Sequence, residues 1–162
     1  MKVTFQKTKD SLDVLLDGKV LVRLPMNVIF RDNEHKSYPS CQTYINEKEG
    51  TIYLCTSAGY GGQVYCFNRN DSYPGEWLLL NIIGVDIRIN ALIEGEMGRK
   101  CRYVYVAGMS DNGTDGGVRK LHPFTSPTVE VINNHKDVNA MDALKLLYAD
   151  TYKQSSLNLI EV

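Results

Sequence analysis

The chain has 162 residues, 43% of them hydrophobic, and a formal net charge of −1 at pH 7. That is enough apolar sequence for one domain with a real core, and too much for a disordered segment. Charges of both signs are dispersed along the chain, without the basic excess that drives phosphate binding, so nucleic acid is not an expected partner.

Met1 to Leu16 carries charges throughout and no apolar run of signal-peptide type. No stretch approaches the roughly 18 apolar residues that span a bilayer. The longest, Trp77 to Ile93, is broken by Asn81, Gly84, Asp86, Arg88 and Asn90. The expectation is a cytoplasmic or virion-associated protein with no membrane partner.

Residues 1–30 predict a ribbon of short strands. Lys2 to Lys7 alternates, with Val3 and Phe5 on one face. Leu12 to Leu16 and Lys19 to Leu24 flank Asp17-Gly18, a strong type I′ hairpin signal because both central residues need φ > 0. Pro25 ends the ribbon, since it has no N–H for a ladder, and Met26 to Phe30 reads as a further strand. Arg31 to Ser40 is a polar loop. Gln42 to Asn46, Thr51 to Ser57 and Gln63 to Phe67 read as a meander, with a turn over Glu47 to Gly50. Asn68 to Gly75 is a second polar loop. Trp77 to Ile83 is apolar and predicts a buried strand, and Asp86 to Ile93 alternates with Ile87, Ile89 and Ala91 on one face.

Glu94 to Lys100 reads as a turn, with Glu94 and Glu96 solvated. Arg102 to Ala107 is the most β-prone segment, with Tyr103 and Tyr105 on one face and Val104 and Val106 on the other. Val118 to Leu121 returns antiparallel to it, and Thr128 to Ile132 follows as a short strand. From Asn139 to Lys153 the period changes: Met141, Leu144, Leu147, Tyr148 and Tyr152 follow helical spacing, Asn139 suits an N-cap and Asp142 the first turn. Leu157 to Val162 predicts a last strand. The fold class is therefore mainly β, with antiparallel sheets and one amphipathic helix over 139–153.

Two segments share a pattern. Ile52 to Phe67 reads IYLCTSAGYGGQVYCF and Tyr103 to Leu121 reads YVYVAGMSDNGTDGGVRKL. Each is a β-type run, a Gly-rich turn with Gly-Gly at its exit, and a second β-type run. Ile52-Tyr53-Leu54 aligns with Val104-Tyr105-Val106, and Gly61-Gly62 with Gly116-Gly117. The copies are spaced by roughly 50 residues, in the range of propeller blades. The region 41–132 thus resembles propeller-type β-repeats. The resemblance implies blade-like hairpin units, too few to close a ring alone; a sandwich of two sheets, several assembled chains, or a chance likeness between hairpins fits the same residues.

Four cysteines, Cys41, Cys55, Cys66 and Cys101, show no CxxC spacing of zinc type. A hairpin turning about Tyr60-Gly61 would set Cys55 opposite Cys66, as a cross-strand disulfide or as two buried thiols. In Asp111-Asn112-Gly113-Thr114-Asp115-Gly116-Gly117, Asp111 and Asp115 have the spacing of calcium-loop ligands. Gly113 stands where a third oxygen is expected and no Glu follows, so the segment equally suits an ordinary tight turn. His35, His122 and His135 lie in polar loops without metal-ligand spacing, no serine sits in a Gly-x-Ser-x-Gly elbow, and Tyr60-Gly61-Gly62 does not lead into a helix as a phosphate cradle does.

Ten tyrosines remain. Tyr53, Tyr60, Tyr65, Tyr103 and Tyr105, with Arg119, form the candidate interface or ligand-binding set, since Tyr combines contact area with a polar tip; tyrosines are also good strand residues. The expected function is non-enzymatic: a structural or protein-interaction module in a homo-oligomer or larger assembly such as a virion, with no cofactor. The second reading is a small-molecule binder for a nucleotide or sugar, and the third a hydrolase of unrecognised motif.

Overall fold

The computed structural model describes residues 1–25, 40–57, 61–95, 103–109, 116–124, 129–133, 152–153 and 157–161. They form strands β1 (Val3–Lys7), β2 (Ser11–Leu16), β3 (Lys19–Pro25), β4 (Ser40–Asn46), β5 (Thr51–Ser57), β6 (Gly62–Arg69), β7 (Trp77–Val85), β8 (Arg88–Gly95), β9 (Val104–Met109), β10 (Gly116–Leu121), β11 (Val129–Asn133), β12 (Tyr152–Lys153) and β13 (Leu157–Glu161). The strands make three antiparallel sheets, ordered β1-β2-β3, β13-β4-β5-β6-β7 and β11-β10-β9-β8-β12. The protein is mainly β, and no helix occurs among the described residues.

The first sheet follows its turn chemistry. Asp17 and Gly18 both take positive φ, 49° and 81°, and Leu16 pairs with Lys19 across the turn. The Asp17 carboxylate also accepts a hydrogen bond from the Lys2 N–H at 2.8 Å, anchoring the start of β1. Leu12, Val14, Leu16 and Leu24 are then buried, in one core with Ile52, Leu54, Tyr65 and Phe67 of the second sheet.

The second and third sheets pack on each other through another core. Tyr44, Tyr53, Cys55, Val64, Cys66, Ile83 and Val85 meet Ile87, Ile89, Leu92, Val104, Val106 and Leu121. Strand alternation explains the two-sided middle sheet: Ile52 and Leu54 face the first sheet, Tyr53 and Cys55 the third.

The two aligned segments occupy equivalent places. β4 to β7 and β8 to β11 are each a four-stranded antiparallel meander, and the aligned hairpins are the second and third strands of each. Faces match as well: Ile52 and Leu54 point toward the preceding sheet, as Val104 and Val106 do.

Four expectations are corrected. The β5–β6 register pairs Cys55 with Val64 and Cys66 with Tyr53, so the two thiols are not opposite each other. Both are buried thiols, and the pairing is centred one residue earlier than a turn at Tyr60-Gly61 would set it. Second, Trp77–Val85 is a strand but not a buried one: β7 closes the second sheet at its edge, and Leu78, Leu79, Leu80 and Ile82 are 42–50% exposed.

Third, β8 carries a bulge between Ile89 and Ala91 that leaves Asn90 unopposed. An extra residue reverses the alternation, so Leu92 and Glu94 turn inward after Ile87 and Ile89. Glu94 is therefore 3% exposed, not solvated. Fourth, the last two residues of the expected helix, Tyr152 and Lys153, are strand β12 against Gly95 and Glu94 of β8. The rest of that helix, the strand at Met26 to Phe30, and most of the loop after it lie outside the described residues.

Candidate interaction edge

Of the candidate tyrosines among the described residues, Tyr103 and Tyr105 come together and Tyr53 and Tyr65 do not. Tyr53 and Tyr65 are 0% and 5% exposed and sit on opposite faces of the second sheet. Tyr105 is also buried. Tyr103 and Tyr105 stack edge to face with ring centroids 5.1 Å apart. The Lys120 ammonium lies over them, 4.5 Å from the Tyr103 centroid and 5.9 Å from that of Tyr105. Such cation–π contacts contribute roughly 0.5–1 kcal/mol at partly exposed sites. Tyr60, Asp111 and Asp115 lie outside the described residues, and of the turn that would bind calcium only Gly116 and Gly117, the start of β10, are described. Among the described residues, no three His, Cys, Asp or Glu are grouped as a metal would need.

Arg119 is buried and grips Asp86 in two bonds: Nε to Oδ1 at 2.9 Å and Nη2 to Oδ2 at 3.2 Å. Its Nη1 also donates to the Val118 carbonyl at 3.2 Å. The guanidinium's hydrogen bond to Asp86 holds that carboxyl below its ordinary value of 3.8. The pair clamps β10 to the link between β7 and β8, so Arg119 orders the passage between the second and third sheets.

A polar lock joins the same two sheets further along. The buried Glu94 carboxylate accepts the Thr51 hydroxyl at 2.7 Å and the Asn46 amide at 3.4 Å. Asn46, Thr51 and Asn68 are neighbours across β4, β5 and β6. This row was missed because nothing in the sequence marks the bulge at Asn90 that turns Glu94 inward.

Among the described residues, the surface feature with most exposed apolar side chain is β7. Its sequence, WLLLNIIGV, holds no charge and no proline. Native sheets protect their edges with charges, prolines, bulges or short strands. The other described edge strands follow that practice: Lys7 lies in β1, Lys19, Arg23 and Pro25 in β3, Glu130 in β11, Lys153 in β12 and Glu161 in β13. β7 has only a bulge, at Leu80, where Phe67 pairs with Leu79 and Cys66 with Asn81. From Asn81 to Val85 it runs in regular register on β6. The Asn81 amide donates to the Pro123 carbonyl, which ties this stretch to the β10–β11 connection.

One end of β7 opens onto a groove of about 280 Å³, whose lining includes Leu16, Lys19, Val20, Leu21, Glu76 and Trp77. It lies between β3, the edge of the first sheet, and β7, the edge of the second. Val20, 47% exposed, continues the apolar surface across it. This volume falls just under the roughly 300–1,000 Å³ of small-molecule pockets. An extended chain laid on β7 would meet main-chain N–H and C=O groups along one side and leucine side chains on both faces.

Among the described residues, no helix is long and apolar enough to cross a membrane. No family model, curated protein or solved structure matches the chain.

Proposed function

We propose that this protein is a non-enzymatic structural or interaction module, a component of a homo-oligomer or of a larger assembly such as a virion, and that it docks protein through the edge of its second sheet. The observation that carries this is β7: nine residues without charge or proline at a sheet edge, with Leu78, Leu79, Leu80 and Ile82 about half exposed. An edge of this kind is a template for another strand. Main-chain hydrogen bonds supply register, and the leucines supply burial at roughly 25 cal/mol per Å².

The repeated meander supports the same reading. The two units stack with equivalent faces turned the same way, as blades of a propeller do, and on this reading they are blade-type units that combine with further protein. The test is the native mass of the chain in extracts of its own source and after purification. A mass several times the 18.3 kDa of one chain supports an assembly component. A monomer under both conditions contradicts it.

A further inference from the structure

We infer that the occupant of the β7 edge is a second copy of this chain, paired antiparallel over Asn81–Val85 about a two-fold axis through Ile83, so that two five-stranded sheets become one of ten strands. The inference rests on the interaction reading above and names its partner.

Two observations select a second copy, and a third sets how tightly it binds. The first is shape. In antiparallel pairing about Ile83, Ile82 of one copy lies opposite Gly84 of the other, and Asn81 opposite Val85. Ile82 is 50% exposed, and a Cβ built on Gly84 meets nothing within 4 Å. A projecting side chain is thus set against an open notch, twice, by symmetry. Faces agree too: Ile82 and Gly84 are two apart on one strand face, while Asn81, Ile83 and Val85 share the other. A register centred on Asn81 fails this condition, because the bulge at Leu80 sets Leu79 on the face opposite to Ile83.

The second is charge. An isologous contact brings both copies of every charge on the edge into one small area, and like charges close together are destabilising. β7 is the one described edge strand without a charged residue, and a net charge of −1 gives two chains little mutual repulsion.

The third is area. Five paired residues, flanked by the exposed Leu78, Leu79 and Leu80, make a small contact. With far fewer than the roughly 20–30 residues a side of a standard interface, it falls below the roughly 1,200–2,000 Å² of stable ones. The expected species is a reversible dimer that forms as concentration rises, not an obligate one.

The test uses the full chain in sedimentation equilibrium, with Gly84→Lys and Ile82→Lys beside wild type. Gly84→Lys fills the notch without touching the core, and Ile82→Lys removes the knob; circular dichroism and thermal melts confirm that both remain folded. Each change acts twice in a symmetric dimer, so the dissociation constant should rise at least about 100-fold, tenfold per copy. Val129→Lys, on the edge of the third sheet, should leave it unchanged. Ile82→Cys with Gly84→Cys should give an oxidised covalent dimer under mild oxidation. An oligomer that survives both lysine variants and forms no such crosslink overturns the β7 pairing and leaves the assembly reading standing. A wild-type chain that stays monomeric at submillimolar concentration overturns the pairing. If its native mass in extract is also that of one chain, the assembly reading falls with it. Binding of an extended peptide to β7 by a chain that remains monomeric overturns the second copy as occupant while keeping the edge as the docking site.

Discussion

Replacing Gly108 by alanine should destabilise this protein by about 3 kcal/mol, although the change adds a single methyl group. Gly108 pairs with Ile89 where β8 and β9 come together beside the bulge at Asn90. A Cβ at that position would fall on the carbonyl of Arg88 and within 3.2 Å of the Ile89 Cα, which are main-chain atoms with no rotamer to escape into. Relief requires β8 to lift away over the pairs Arg88–Met109 and Ile89–Gly108. That gives up about two backbone hydrogen bonds, roughly 1 kcal/mol each. It also partly exposes Ile89, which is 1% exposed and whose full burial stabilises by about 1.5–3 kcal/mol. The matched control is Gly84→Ala, where nothing lies within 4 Å and the change should be worth under about 1 kcal/mol. Urea unfolding followed by circular dichroism and by Trp77, the sole tryptophan, reads both. If Gly108→Ala unfolds within about 1 kcal/mol of wild type, β8 and β9 do not approach as described and the inward turn of Glu94 loses its basis.

Thr51→Val removes the hydroxyl held by Glu94 at 2.7 Å and should cost about 1–3 kcal/mol, since it takes a donor from a buried carboxyl oxygen; equilibrium unfolding checks it. Asp86 has a folded pKa below its ordinary 3.8 through the hydrogen bond from Arg119. The pair's stabilisation is therefore present above 3.8 and lost as pH falls through the lower folded value. Asp86→Asn should be less stable than wild type by about 1 kcal/mol at neutral pH, discounted for the exposed carboxylate, and the difference should shrink in acid. Burial pushes the Cys66 thiol up to about 12 from 9.0, so its contribution is present below pH 9.0 and fades as pH rises toward 12. With Cys41 and Cys101 changed to serine, a thiol reagent should label Cys55 and Cys66 only as fast as the protein opens, and faster labelling would contradict their burial.

Local rules made much of the framework legible. Asp17-Gly18 announces its turn because few residues accept two successive positive φ angles; β1 follows from alternation, and β5 and β9 from runs of β-prone residues. The order of strands across a sheet is not local. Trp77 to Ile83 reads as buried because its residues are apolar, whereas its exposure follows from standing last in its sheet, a long-range fact that no window of residues contains. Register is similarly hidden: moving the β5–β6 turn centre by one residue shifts the partner of Cys55 from Cys66 to Val64. The bulge at Asn90 has the largest consequence. One unopposed residue exchanges the faces of β8 and places Glu94 in the interior, where it locks two sheets together. The tyrosines are ambiguous for a related reason, because a good interface residue and a good strand residue have the same chemistry, and only burial tells them apart.

The most direct measurement is hydrogen exchange of the β7 amides at low micromolar and at submillimolar concentration. Alternate N–H groups of an edge strand point away from its neighbour and exchange unless another strand covers them. If β7 is the docking edge, protection of Asn81 to Val85 rises with concentration while the edges β3 and β11 do not change. Equal exchange of β7 at both concentrations, with any oligomer protected elsewhere, would contradict the account.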